Sequence, residues 1–165
     1  MSLEKIGDPR DLTHWMGHME TDYSYTYGIA GEKFFKELKE NAKIMGTRCK
    51  NCNLIYVPPR LFCERCFEKL DTWETVSKRG SVHTYTIANI DIDGSKLKKP
   101  IIWAMIKIDN VHGGFVHKLG EVDSKDVEIG MHVEAVFKSR KEREGSMLDI
   151  KYFRPAKQKL EKALR

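Results

Sequence analysis

The hydrophobic rhythm of the chain changes along its length. Near the start, Leu12, Trp15, Met16 and Met19 recur at i, i+3, i+4 and i+7, the spacing that lines one face of a helix. Asp8-Pro9 supplies the beginning of that helix, with Asp8 as N-cap and Pro9 at the first helical position, where its missing amide hydrogen costs nothing. An extended aromatic stretch follows through Tyr23, Tyr25 and Tyr27, and Gly28 and Gly31 bracket a short loop. A second helix is expected over residues 32–43, with Phe34, Phe35, Leu38 and Ala42 on its buried side. From Gly80 the pattern becomes β-branched and aromatic, with Val82, Tyr85, Thr86 and Ile87 in a strand over residues 80–92. Four more strands are expected over residues 101–108, 114–122, 131–138 and 146–153. Asp93-Gly94, Gly113-Gly114, Ile129-Gly130 and Glu144-Gly145 separate them. Five strands at this spacing fit a small closed barrel or sandwich. Residues 157–165 suggest a terminal helix.

Between the helical and the strand-like parts, residues 47–71 hold every cysteine of the chain in the pattern Cys49-x2-Cys52-x10-Cys63-x2-Cys66. Each Cys-x2-Cys pair can fold as a tight knuckle that aims two sulfurs at one point. Two knuckles supply four thiolates, the donor set of tetrahedral zinc, and the ten residues between them suffice for a hairpin. Such a site has no open position, so the metal is structural and activates neither water nor substrate. No cysteine is left over, and in a reducing cytosol this grouping points to metal rather than disulfides. Iron, which the same four thiolates accept, is the alternative. Asn53 follows the first knuckle at a position that often needs left-handed backbone, which asparagine tolerates; Phe67, after the second, is less suited. Pro58-Pro59-Arg60 lies between the knuckles. The prolines stiffen the hairpin return, and Arg60 either serves the same turn or meets a phosphate.

Composition narrows the function. With 165 residues, 41% of them hydrophobic, a packed interior is available. No apolar run approaches the roughly 20 residues of a membrane helix, and the polar N-terminus lacks the apolar core of a leader, so a cytoplasmic protein is expected. The net charge of +5 is uneven: the last twelve residues carry five basic residues against one acidic, whereas residues 76–153 carry thirteen against eleven. A basic tail is a weaker nucleic-acid signal than a basic stripe across a folded surface. His14 and His18 stand four apart on the first helix without a third ligand, and read as exposed polar-face residues. His83, His112, His117 and His132 read as surface or interface residues rather than bases. Glycine-rich nucleotide fingerprints and a Gly-x-Ser-x-Gly elbow are absent, and the Asp91/Asp93 pair sits in a turn. These observations argue against a stand-alone enzyme. The aromatic stretch over residues 15–35 is either core or a partner surface. Residues 93–100 form a basic loop with Lys96, Lys98 and Lys99, either solvated or in contact with an anion.

Several segments, in this order, resemble a known family: residues 25–35 (YTYGIAGEKFF), the two knuckles, Pro58-Pro59-Arg60, Trp73, residues 80–86 (GSVHTYT) and residues 129–133 (IGMHV). That family joins an N-terminal helical hairpin, a rubredoxin-like zinc ribbon and a C-terminal OB-fold, and is associated with acyl-CoA metabolism in archaea and bacteria. The match over residues 25–35 suggests an archaeal member. The resemblance implies a mainly β protein with N-terminal helices, in which a zinc ribbon precedes a five-stranded OB-fold barrel. The implied divisions are residues 1–45 for the hairpin, 46–75 for the ribbon, 76–155 for the OB-fold and 156–165 for the basic tail. It further implies one structural zinc per chain and a non-catalytic accessory subunit. Similar archaeal proteins bridge an acetoacetyl-CoA thiolase and a hydroxymethylglutaryl-CoA synthase and help hold CoA or acyl-CoA between them. On that reading the ligand-contact candidates are Tyr25, Tyr27 and Phe34 for apolar parts, and Arg60, Lys96, Lys98 and Lys99 for phosphates. The rival reading is a single-strand nucleic-acid binder, which an OB-fold with a basic groove and stacking aromatics can be. The near-neutral barrel region argues mildly against it.

Overall fold

The computed structural model describes residues 24–91 and 94–156. The expected helix carrying Leu12, Trp15, Met16 and Met19, with His14 and His18, lies outside the described residues, as do Tyr23 and the tail over 157–165.

Helix α1 (Gly28–Asn41) begins before the expected position, so Gly28 and Gly31 belong to its first turn instead of flanking a loop. The Thr26 hydroxyl accepts the Gly28 amide at 3.2 Å. Gly31 is needed for packing: a Cβ there would lie 2.8 Å from the Tyr27 Cβ. Its absence lets the Tyr27 ring fold over the first turn and meet Phe35 edge-on at 5.3 Å. The helix ends at Ala42 in left-handed conformation, and the amides of Ala42 and Lys43 return to the Leu38 and Glu37 carbonyls. Phe34 and Leu38, one turn apart, are buried against the sheet.

Eight strands follow: β1 (Met45–Cys49), β2 (Leu54–Val57), β3 (Thr72–Thr75), β4 (Arg79–Ile90), β5 (Lys96–Ile108), β6 (His112–Lys118), β7 (His132–Phe137) and β8 (Ile150–Pro155). They form one sheet in the order β3-β1-β2-β6-β5-β4-β7-β8. The strand count is thus eight rather than five. The last five correspond to those expected after Gly80, and three short strands build the ribbon. A second correction concerns the basic loop. Ile90 pairs with Lys96, so the β4–β5 hairpin extends outward and Lys96, Lys98 and Lys99 stand on a strand. Pairing with Ile90 overrides the low strand preference of lysine at Lys96, while Lys98 and Lys99 lie in an irregular stretch before the ladder resumes at Ile101 opposite Ala88.

The sheet curls until the end of β6 reaches β8, where Leu119 bridges Phe153 and the Gly120 amide donates to the Phe153 carbonyl at 2.8 Å. Alternate residues of β5, Ile102, Ala104, Ile106 and Ile108, fill the interior with Val82, Phe115, Val133, Ile150 and Phe153. Phe34 joins them, its ring 5.9 Å from that of Phe115. The core also contains His117, which corrects its reading as a surface residue. It is 4% exposed, packs edge-on against Phe153, accepts the Lys118 amide at Nδ1 (3.0 Å) and approaches the Met147 carbonyl through Nε2 at 3.3 Å. Burial lowers its pKa from the ordinary value. A second buried polar group, Asp149, accepts the amides of Glu144 and Gly145 at 2.8 Å and of Ser146 at 3.3 Å. The loop it gathers carries Arg143, whose guanidinium donates to the Leu38 carbonyl at 2.9 Å and so ties the last turn of α1 to the barrel.

Ribbon and barrel meet at a parallel seam in which Tyr56 and Val57 of β2 pair with His112 and Gly113 of β6. Gly113 has φ +115°, and a Cβ there would lie 2.0 Å from the Val57 carbonyl oxygen, so this approach requires glycine. Among the described residues, no helix is long and apolar enough to cross a membrane.

Candidate metal centre

β1 delivers Cys49 at its last position. The turn over residues 50–53 then places Cys52, and the chain returns along β2. Cys63 and Cys66 come from the second knuckle, closed by the Phe67 amide donating to the Cys63 carbonyl at 3.0 Å. All four sulfurs lie within 4.8 Å of one another, with Cys49 and Cys66 at 3.5 Å and Cys52 and Cys63 at 3.9 Å. A tetrahedron with metal–sulfur bonds of about 2.3 Å has edges of about 3.8 Å, so the donor set fits one zinc ion. Backbone amides point at the sulfurs, from Cys52 to Cys49 at 3.3 Å and from Arg65 to Cys63 at 3.4 Å, which stabilises thiolate charge. Asn53 and Phe67, each following a knuckle, both adopt left-handed backbone at φ +53° and +58°. Asn53 is braced by the Arg48 guanidinium at 2.7 Å. Phe67, 78% exposed, takes this conformation despite its bulk.

Several side chains that support the ribbon escaped the sequence analysis. Arg48 grips Glu74 with two hydrogen bonds, Nε to Oε1 at 2.5 Å and Nη2 to Oε2 at 2.9 Å, and so locks β1 to β3. The hydrogen bond from Arg48 holds the Glu74 carboxyl below its usual range. Thr47, fully buried, exchanges hydrogen bonds with both the amide and the carbonyl of Arg60 at 3.0 Å. Tyr56, also fully buried, places its hydroxyl 3.2 Å from the Cys63 sulfur. That hydrogen bond lowers the Cys63 thiol to about 6 and raises the Tyr56 phenol to about 12. Cys52, held by its hydrogen bond with Cys66 and by burial, is raised to about 12. The one signal for Tyr56 in the sequence is its place in the apolar run of β2 between the knuckles.

The ligand-contact candidates lie on separate elements. Tyr25 and Tyr27 are exposed at 83% and 61% ahead of α1. Phe34 is a core residue at 2% exposure and packs instead of facing a ligand. The Arg60 guanidinium is paired with Glu64 and lies over the Tyr56 ring at 5.2 Å. Glu64 also meets His112 of β6 at 2.8 Å, which joins the second knuckle to the barrel. Lys96, Lys98 and Lys99 are exposed at the start of β5. Lys99 borders a cleft of about 630 Å³ that also holds Glu121 and Asp123.

Comparison with known proteins agrees with this architecture. Residues 38–71 match the ChsH2 rubredoxin-like zinc ribbon domain, and residues 73–138 match the ChsH2 C-terminal OB-fold domain. A DUF35 domain-containing scaffold protein of Methanocaldococcus jannaschii is 32% identical over 109 residues, which cover 66% of this chain and 77% of that protein. A protein of the same description from Methanothermobacter thermautotrophicus is 26% identical over 124 residues, covering 73% of this chain and 92% of that one. Among solved structures, a DUF35-family protein of Sulfolobus solfataricus is 34% identical with a TM-score of 0.57, over 67% of this chain and 77% of that chain. The Ltp2-ChsH2(DUF35) aldolase shares the fold at 20% identity and a TM-score of 0.59, over 80% of this chain and 98% of that chain. With its four-sulfur ribbon and curled OB-fold sheet, the chain belongs to the ChsH2/DUF35 family.

Proposed function

We propose that this chain is a non-catalytic scaffold subunit that helps hold CoA or acyl-CoA between a thiolase and a condensing enzyme, acetoacetyl-CoA thiolase and hydroxymethylglutaryl-CoA synthase being the pair in view. The observation that carries the reading is the closed metal centre. All four cysteines converge on one point, so the metal supports the fold and no thiol remains as an acyl-transfer nucleophile. The archaeal relatives carry the name scaffold protein, which supports the same role. A four-thiolate site suits the reducing cytoplasm, where we place the protein.

Lys96, Lys98 and Lys99 are our candidates for the phosphates of CoA, and Tyr25 and Tyr27 for its apolar arm. They stand on different elements, so a partner surface completes the pocket. Each binding event then favours the other. The test is calorimetry with CoA on this chain, on the thiolase or synthase, and on their mixture. Weak binding to each part and tighter binding to the mixture is expected. Equal affinity in all three refutes the shared pocket, and steady acyl transfer by this chain alone refutes the non-catalytic reading.

A further inference from the structure

An antiparallel sheet that packs on one face normally turns polar residues outward. β5 does not. Its inward residues, from Ile102 to Ile108, fill the barrel, while Ile101, Trp103 and Met105 point the other way. Register extends this outer surface across the neighbouring strands: Met105 stands opposite Thr84 and Val116, and Trp103 opposite Thr86 and Lys118. Trp103 is 41% exposed and Val116 68%, so both present apolar surface outward. Between the three strands lies a shallow depression of about 190 Å³, bordered by Trp103, Met105 and Val116. The strand thus has the composition of one buried on both faces and the surroundings of one buried on a single face.

The margin of this patch indicates what covers it. Lys107 and Lys118 project from the same outer face, and neither has an ion-pair partner among the described residues. The register pairs of this face contain no Asp or Glu, and the acidic residue nearest Lys107 along the strand is Asp109, which borders a neighbouring cleft with it. The Trp103 indole N–H likewise has no acceptor among the described residues. An apolar centre with a large aromatic and methionine, flanked by two lysines without ion-pair partners among the described residues, has the anatomy of a protein-binding hot spot.

We infer that the outer face of β4, β5 and β6, centred on Trp103 and Val116, docks a folded protein subunit presenting an apolar depression rimmed by carboxylates. A second copy of this chain does not fit, because a two-fold contact through this patch sets lysine rims against each other. Single-stranded nucleic acid fits less well. It needs successive aromatic platforms, and this face offers one tryptophan among aliphatic side chains. The assignment rests on the scaffold reading and specifies which surface the partner enzyme meets.

The experiment uses the full-length chain with purified thiolase and hydroxymethylglutaryl-CoA synthase of the same organism. Affinity is measured by calorimetry for the wild type, Trp103→Ala, Val116→Asp, the double variant Lys107→Glu/Lys118→Glu, and a control on another surface, Ile129→Asp. All are first checked for zinc content and native circular dichroism. Trp103→Ala and Val116→Asp are expected to weaken binding to one enzyme by roughly thirtyfold or more. The lysine reversal should weaken it and remove its salt dependence, while the control binds as the wild type does. A photo-crosslinker placed at Val116 should link to that enzyme near Asp or Glu residues. Wild-type binding that all variants retain overturns the surface and leaves the scaffold reading standing. Failure of the wild type to bind either enzyme overturns both. Crosslinks to residues 1–23 of the same chain, or to a second copy, overturn the assignment. So does tight binding of labelled oligo(dT), lost in Trp103→Ala and retained at physiological salt.

Discussion

Replacing Tyr56 by phenylalanine removes one oxygen and keeps the ring, which stands edge-on to His112 at 5.5 Å and carries Arg60 on its face at 5.2 Å. The lost contact is the 3.2 Å hydrogen bond to the Cys63 sulfur, made where neither side chain meets solvent. A hydrogen bond to a charged acceptor contributes about 1.5–3 kcal/mol. Below about pH 6 the metal-free Cys63 is a neutral thiol that gains this thiolate hydrogen bond only on metal binding, so at about 1.4 kcal/mol per decade its loss is roughly 10- to 150-fold in metal affinity; at higher pH the free thiolate already has the bond and the loss shrinks. Bound zinc withdraws charge from the sulfur and weakens it as an acceptor, which favours the lower part of the range, about 10- to 30-fold, in line with other changes just outside a metal's ligands. In metal-free protein the same change should raise the Cys63 thiol from about 6 toward the ordinary thiol value. The assay is competition for zinc with a chelator of known affinity at a pH below the pKa of the free Cys63 thiol, about 6, combined with alkylation of Cys63 across a pH series. If Tyr56→Phe binds zinc within twofold of wild type and alkylates with an unchanged pH profile, the hydroxyl does not hold this sulfur and the reasoning fails.

Purified protein should carry about one zinc per chain, and Cys49→Ser or Cys63→Ser should lose metal and lower the melting temperature, because binding and folding of such ribbons are coupled; full-occupancy iron in natively sourced protein refutes the zinc reading. Asp149→Ala leaves three amides without their acceptor, so a loss of about 3–5 kcal/mol is expected in urea unfolding, and a loss below about 1 kcal/mol refutes the role of that carboxylate. His117 is held below its ordinary value of 6.5 in the native state, so below that pH the unfolded chain takes up a proton that the native one refuses. Stability should therefore fall as pH drops through 6.5 and level off below the depressed native value, and His117→Gln should flatten that limb in melts between about pH 7 and 5; an unchanged slope refutes the assignment.

What the sequence disclosed follows from the range of each interaction. Cysteine spacing is a local property, and it located the metal ligands. The strands after Gly80 were legible because alternation and glycine turns are local too. The helix start was misplaced because Gly28 and Gly31 read as breakers, whereas Gly31 serves a side-chain contact with Tyr27 that spacing does not express. The ribbon strands are four or five residues long, too short for periodicity to declare them. Lys96, Lys98 and Lys99 read as a loop because the β4 pairs that bound their stretch, Ile90 with Lys96 and Ala88 with Ile101, are not visible in local sequence. His117 reads as a surface residue in the sequence because its burial depends on Met147 and Phe153, some thirty residues away or more. The role of Tyr56 is hidden for a similar reason, since only the hairpin turns its hydroxyl toward Cys63.

The parallel seam between β2 and β6 also sets an order of assembly. Tyr56 and Val57 can find their partners only once His112 and Gly113 exist, so in a chain made from its N-terminus the free edge of β2 waits for β6. Everything the knuckles need is nearer at hand: their four sulfurs, the Tyr56 hydroxyl and the clasp between Arg48 and Glu74 all lie within residues 48–74. Local contacts form faster than distant ones. A metal-loaded ribbon can then present the open edge of β2 as a template on which β6 is laid down. Metal supply thus bears on how the rest of the chain is built, and a cell short of zinc would meet the consequence during synthesis, before any partner is engaged.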